Sequence, residues 1–131
     1  MKKIVLFLSL LLMVSLGGCT NNNQDFTDTV TKGTWRVGYF ISSGDEHTSL
    51  FNGYVFTFLA DGTVAVTRPG APATQGTWNE FNDNSRLDLS FADPGLLQKL
   101  DDHWVIDEIH DTEILLHELG APFNQFNLNQ I

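Results

Sequence analysis

The sequence predicts an all-β fold: an antiparallel, eight-stranded up-and-down barrel with one short helix near 94–100, preceded by a signal helix. Three observations predict it. From Lys32 onward, apolar residues alternate with polar ones, the period of half-buried strands. Turn-forming clusters break the alternation at short intervals: Asp61-Gly62, Pro69-Gly70-Ala71-Pro72, Asn82-Asp83-Asn84-Ser85 and Asp111-Thr112. A single cysteine excludes an internal disulfide, so a sheet closed on itself protects edges that nothing covalent would hold.

Trp35, Val37, Tyr39 and Ile41 are expected on one face of the first strand. Residues 42–53 read as a long loop, with Asn52-Gly53 as an alternative hairpin turn that would make 48–51 a strand. Tyr54, Phe56 and Phe58 share a face of the second strand, and residues 63–68 form a β-branched third. Residues 75–81 make the fourth strand, and Leu87, Leu89 and Phe91 mark the fifth. Asp93 is then an expected N-cap, with Pro94 at the first helical position and Leu96, Leu97 and Leu100 on one side. So short a helix is stable only when docked. Residues 104–109 and 113–119 are the sixth and seventh strands, and Gly120-Ala121-Pro122 breaks the pattern. Phe126 and Leu128 mark a last strand. Gly33-Thr34-Trp35 and Gly76-Thr77-Trp78 form a faint internal repeat.

The N-terminus is of another kind. Met1-Lys2-Lys3 is positively charged, and 4–16 is apolar apart from Ser9 and Ser15. As a helix that segment reaches roughly 20 Å, short of a hydrocarbon core of about 30 Å, so it reads as a signal rather than a span. It closes on Leu16-Gly17-Gly18-Cys19, and Cys19 is the sole cysteine. That order resembles the signal of bacterial lipoproteins. The resemblance implies cleavage before Cys19, acylation of Cys19 and attachment to the membrane through it, and Thr20 after the cysteine resembles an outer-membrane destination. The expected division is 1–18 signal peptide, 19–31 lipid-anchored flexible tether and 32–131 barrel domain.

Charge narrows the partners. Loss of Lys2 and Lys3 leaves five basic against sixteen acidic residues, a net charge of −11. Such a polyanion repels phosphate backbones, so nucleic acid is excluded as a natural partner. It also offers no attraction to anionic lipid, so membrane attachment has to be covalent.

The folded region resembles the bacterial lipocalin-like lipoproteins of Bacteroidetes-type organisms. The matching stretches include Gly-Thr-Trp-Arg-Val at 33–37, Phe51-Asn52-Gly53-Tyr54-Val55-Phe56-Thr57-Phe58, Asp61-Gly62-Thr63-Val64, Gly76-Thr77-Trp78, residues 87–91, and Leu100-Asp101-Asp102-His103-Trp104-Val105. The resemblance implies a lipocalin-like barrel with the helix near one end. Larger lipocalins pack an arginine from the last strand over the first-strand tryptophan. No arginine follows Arg86 here, so that end must close differently.

Trp35, Tyr54, Phe56, Phe58, Trp78 and Trp104 are expected to point inward. They line either a filled core or a pocket for a small apolar ligand. His103, His110 and His117 recur every seven residues, which does not align them on strands. With Asp111-Thr112 as the turn, Ile106 faces His117 and Glu108 lies diagonally from it, read first as a rim pair rather than a metal site. The acidic residues lack the spacing of a calcium loop. No nucleophile elbow, P-loop, zinc-protease or dinucleotide motif occurs, so no enzyme and no cofactor is expected. Two functions remain, a barrel holding an apolar ligand or a packed barrel whose loops contact an envelope protein or glycan, with a hydrolase using a loop histidine and carboxylate as a distant third.

Overall fold

The computed structural model describes residues 24–92 and 95–131. The strands are β1 (Trp35–Ser42), β2 (Asp45–Glu46), β3 (Val55–Phe58), β4 (Thr63–Thr67), β5 (Thr74–Phe81), β6 (Arg86–Phe91), β7 (His103–Ile109), β8 (Glu113–Glu118) and β9 (Ala121–Gln130). All neighbours are antiparallel, and β1 pairs with β9 as well as β3, which closes eight strands into a barrel. The two-residue β2 pairs with β1 alone. The predicted eight-stranded antiparallel barrel is therefore the observed one, and the signal helix expected before it lies outside the described residues.

Up-and-down order sorts the connections between two ends. The β3–β4, β5–β6 and β7–β8 turns share one end with the start of β1. The β1–β3, β4–β5, β6–β7 and β8–β9 connections share the other. No described helix is long and apolar enough to cross a membrane.

Two single-residue irregularities reset the faces. In β1 the register with β9 shifts between Val37 and Tyr39, so the side chain that follows Val37 into the core is Phe40. Tyr39 and Ile41, expected inward with Trp35, are half-buried. Gly38 permits this bulge, since a Cβ there would sit 2.5 Å from the Asn129 side chain. Gly76 is the tighter case. Its Cβ would lie 2.5 Å from the Phe91 ring and 2.6 Å from the Ser90 carbonyl oxygen. A backbone atom cannot swing away, so Gly76→Ala is expected to cost about 1–3 kcal/mol, measured as a lower urea midpoint at unchanged slope.

The region before β1 departs most from expectation. Residues 26–30, assigned to the tether, form helix α1 (Phe26–Val30). The Asp25 side chain caps it, accepting from the Asp28 amide at 3.0 Å. Phe26 and Val30, one helical turn apart, are both 0% exposed. The packed domain thus begins near Asp25 rather than Lys32. Neighbouring turns hold the helix. The Phe26 amide donates to Asn84 Oδ1 at 2.7 Å, and Gln24 bonds Asp111. Asn82, Asp83 and Asn84 all have positive φ, a conformation these short polar side chains tolerate.

Elsewhere the differences are local. The long loop after β1 contains the tight Ser42–Asp45 hairpin and a 3-10 turn over Thr48–Phe51, rather than open loop or strand. The helix expected at 94–100 is a 3-10 turn over Leu96–Leu100 that buries Leu97 and Leu100. The expected cap Asp93 and Pro94 lie outside the described residues. β9 starts at Ala121, within the segment read as a break.

Candidate functional site

The barrel interior is the first place to look, because five of the six inward aromatics meet there. Trp35 is 0% exposed, Phe56 and Trp104 are 1%, Phe58 2% and Trp78 6%. Tyr54 stands apart. It precedes β3, is half-buried, and stacks its ring edge on Phe51 with the Arg68 guanidinium 5.3 Å from its centroid. That places it at the rim.

Each indole N–H inside is committed to the backbone. Trp35 Nε1 donates to the Val30 carbonyl at 2.9 Å, which ties α1 to β1. Trp78 Nε1 donates to the Leu59 and Thr63 carbonyls at 3.0 and 3.1 Å, pinning the β3–β4 turn. Its ring meets Phe26 and Phe58 edge-on at centroid distances of 6.0 and 5.9 Å. Trp104 Nε1 donates to the Leu100 carbonyl at 2.9 Å and so holds the 96–100 turn across the other end. A buried indole needs such a partner; for Trp35 and Trp104 it lies on a segment that closes a barrel end, and for Trp78 on the turn between two wall strands. The barrel end at Trp35 is closed by α1, whose last carbonyl accepts from the indole N–H. The Gly-Thr-Trp repeat also acquires a meaning, since both its tryptophans serve that end.

The histidines are arranged by the second irregularity. In the β7–β8 ladder Val105 faces His117 and Ile106 faces Leu116, and the register then shifts before Glu108. Asp107 is the extra residue. It turns its carboxylate to His117, with Nδ1 2.8 Å from both oxygens. Glu108 instead meets His110 Nε2 at 2.8 Å. The expected Ile106–His117 facing and His117–Glu108 diagonal are thus replaced, because one inserted residue moves everything beyond it by one step. Among the described residues no three His, Cys, Asp or Glu side chains converge as a metal-ligand set.

A polar cleft lies on the outer wall. β6 pairs with β7 only over Arg86–Asp88 and His103–Val105. Above that the 96–100 turn enters, and β6 is completed by the Asp102 carbonyl on the Leu89 amide and by Asp101 Oδ2 on the Phe91 amide. The result is an open cleft of about 390 Å³, lined by Thr77, Asn79, Asp88, Ser90, Asp101 and His103 among others. Asp88 organises its floor, with Oδ1 2.8 Å from both Arg86 Nε and His103 Nδ1. Burial pushes the Asp88 carboxyl up, but hydrogen bonds and charge from Arg86 and His103 outweigh it and hold the group below the usual carboxylate range. Asp88 therefore contributes stability that is full above the unfolded value of about 3.9 and is lost as pH falls through the lower folded value. Asp88→Asn should flatten the decline in stability between about pH 5 and about pH 2, read by urea unfolding at each pH.

One feature escaped the sequence reading. Between the Glu118–Ala121 and His117–Gln125 pairs, β9 carries three residues with no partner on β8. Phe123 is among them and is 85% exposed, and Leu119 beside the turn is 48% exposed. The Gly120-Ala121-Pro122 break was the visible signal, read only as an interruption.

These observations define a class: a small closed antiparallel barrel, packed with aromatics and plugged at both ends. No protein-family model and no curated protein matches the chain. Among solved structures the chain is similar to a DUF4847 family protein from Bacteroides vulgatus, at 15% identity and a TM-score of 0.60, over 80% of this chain and 96% of that one. At that identity the likeness shows a shared fold.

Proposed function

We propose that this chain is a non-enzymatic, lipid-anchored module of the bacterial cell envelope, probed from outside by its partners rather than loaded with a ligand. Leu16-Gly17-Gly18-Cys19 lies outside the described residues and carries the anchoring part of the reading through its resemblance to lipoprotein signals. On that reading Cys19 is acylated, the address is the outer membrane, and α1 is the end nearest the bilayer. The observation that carries the interaction part is the commitment of the Trp35 and Trp104 indole N–H groups to the segments that close the two barrel ends. A barrel that opened for an apolar ligand would have to break at least one of those bonds and separate edge-to-face aromatic contacts. The loops at the end opposite α1 are then the working surface, since loops on a rigid scaffold commonly carry recognition.

Native mass spectrometry of the mature protein purified from its own cells tests both halves. The expected species begins at Cys19, carries acyl chains, and retains no small molecule. A stoichiometric apolar ligand in the spectrum would overturn the interaction reading. An unacylated N-terminus other than Cys19 would overturn the anchor.

A further inference from the structure

We infer that the β9 bulge at Phe123 is the anchor of a protein contact, and that its partner offers an apolar pocket ringed by basic side chains. The inference rests on the interaction reading above and names its site and partner chemistry.

The bulge is held in place from both sides. Asn124 accepts from the Ser43 amide through Oδ1 at 2.9 Å and donates from Nδ2 to Glu118 Oε1 at 3.3 Å. One side chain thus ties the bulge to the β1–β2 hairpin and to β8. Phe123 rides on that brace almost fully outside, with Pro122 exposed beside it and Leu119 half-exposed at the turn. An aromatic held out on a fixed backbone loses little conformational entropy on docking, which is the character of an interface hot spot. The core has no use for it. Phe126 and Leu128 already fill the inward positions of β9.

The surroundings select the partner. Glu118 lies at the base of the bulge, and Asp45 and Glu46 are exposed on the neighbouring hairpin. An apolar tip inside an acidic rim is complementary to an apolar pocket inside a basic one. A second copy presents the same acidic rim on a chain of net charge −11 after processing, so two tips repel. The anchoring bilayer is disfavoured by reach. Residues 19–24 span at most about 20 Å and enter at the α1 end, whereas the bulge is at the opposite end. Bringing Phe123 to the lipid would lay the acidic rim of Glu118, Asp45 and Glu46 on anionic headgroups.

The test places a photocrosslinking phenylalanine analogue at position 123 of the full chain in its native cells, and in parallel at 71 and 79, on the β4–β5 loop and the cleft. The expected result is an adduct from 123 to one protein. The purified mature chain should bind that protein, Phe123→Ala should weaken binding about 30-fold without moving the melting temperature, and binding should fall several-fold as salt rises from about 0.05 M to about 0.5 M. An adduct to lipid or to a second copy overturns the inference, as does a partner whose affinity ignores Phe123→Ala or salt. Adducts from 71 or 79 with none from 123 overturn this site and leave the interaction reading standing. No protein adduct from any of the three positions overturns both.

Discussion

Trp104→Ala is expected to cost about 3–5 kcal/mol, a large fraction of the roughly 5–15 kcal/mol that holds a domain of this size together. The side chain is 1% exposed and its ring meets Phe126 edge-on at a centroid distance of 4.6 Å. Its loss leaves a cavity between β7 and β9 and frees the 96–100 turn at once, because the Leu100 carbonyl loses its donor. Trp104→Phe separates these effects. It keeps most of the ring contact and removes only the N–H, so about 1–2 kcal/mol is expected for the hydrogen bond and the resulting unpaired carbonyl. Urea denaturation of the two variants, compared by midpoint at constant slope, checks the pair of values. Equal losses in both would mean that packing of the indole matters little and that the turn is held by its hydrogen bond alone.

The second large effect falls on a residue expected to lie in a flexible tether. Phe26→Ala should destabilise the barrel by about 3–4 kcal/mol, as for any fully buried phenylalanine. A tether residue would change nothing measurable. The reason for the cost is that α1 is the stopper of one barrel end, seated on Trp78 and bonded through Val30 to Trp35. A chain starting at Lys32 is accordingly expected to expose Trp35 and Trp78 and to bind hydrophobic dyes, whereas one starting at Gln24 should not. Thermal melts of the two truncated chains give the answer directly.

This helix shows why the division between tether and domain was hard to read. Thr27, Asp28, Thr29 and Thr31 make the stretch look polar and aperiodic. Five residues are too few for a hydrophobic period to register, and Phe26 and Val30 supply only one i, i+4 pair. The Asp25 cap with an acidic residue at Asp28 was a legible start signal, but a cap without a following apolar run carries little weight. The strands were legible for the opposite reason. Alternation over six to ten residues, closed by Asp61-Gly62 or Asn82-Asp83-Asn84, leaves few other readings.

What alternation cannot show is an extra residue within a strand. Phe40 rather than Tyr39 enters the core because of the shift at Gly38, and His117 meets Asp107 rather than Glu108 because of the shift at Asp107. Both changes follow from a period of two, in which one insertion exchanges the faces beyond it. Five of the six aromatics expected inward are buried, and Tyr54, which lies one residue ahead of β3, turns to the rim. Whether those aromatics line a space or fill it depends on ring-to-ring and indole-to-carbonyl contacts across the barrel, and these are set by three-dimensional register rather than by any local pattern.

Hydrogen exchange at the three indole N–H groups, followed by NMR, tests the packed and plugged barrel most directly. Trp35, Trp78 and Trp104 are the only tryptophans, so three signals report both ends. If the interior is filled and its plugs are fixed, all three exchange slowly, Trp35 and Trp104 on the timescale of global unfolding. Rapid exchange at Trp35 or Trp104 in the native protein would mean that an end of the barrel opens, and the account of a closed core that works from its outer surface would be wrong.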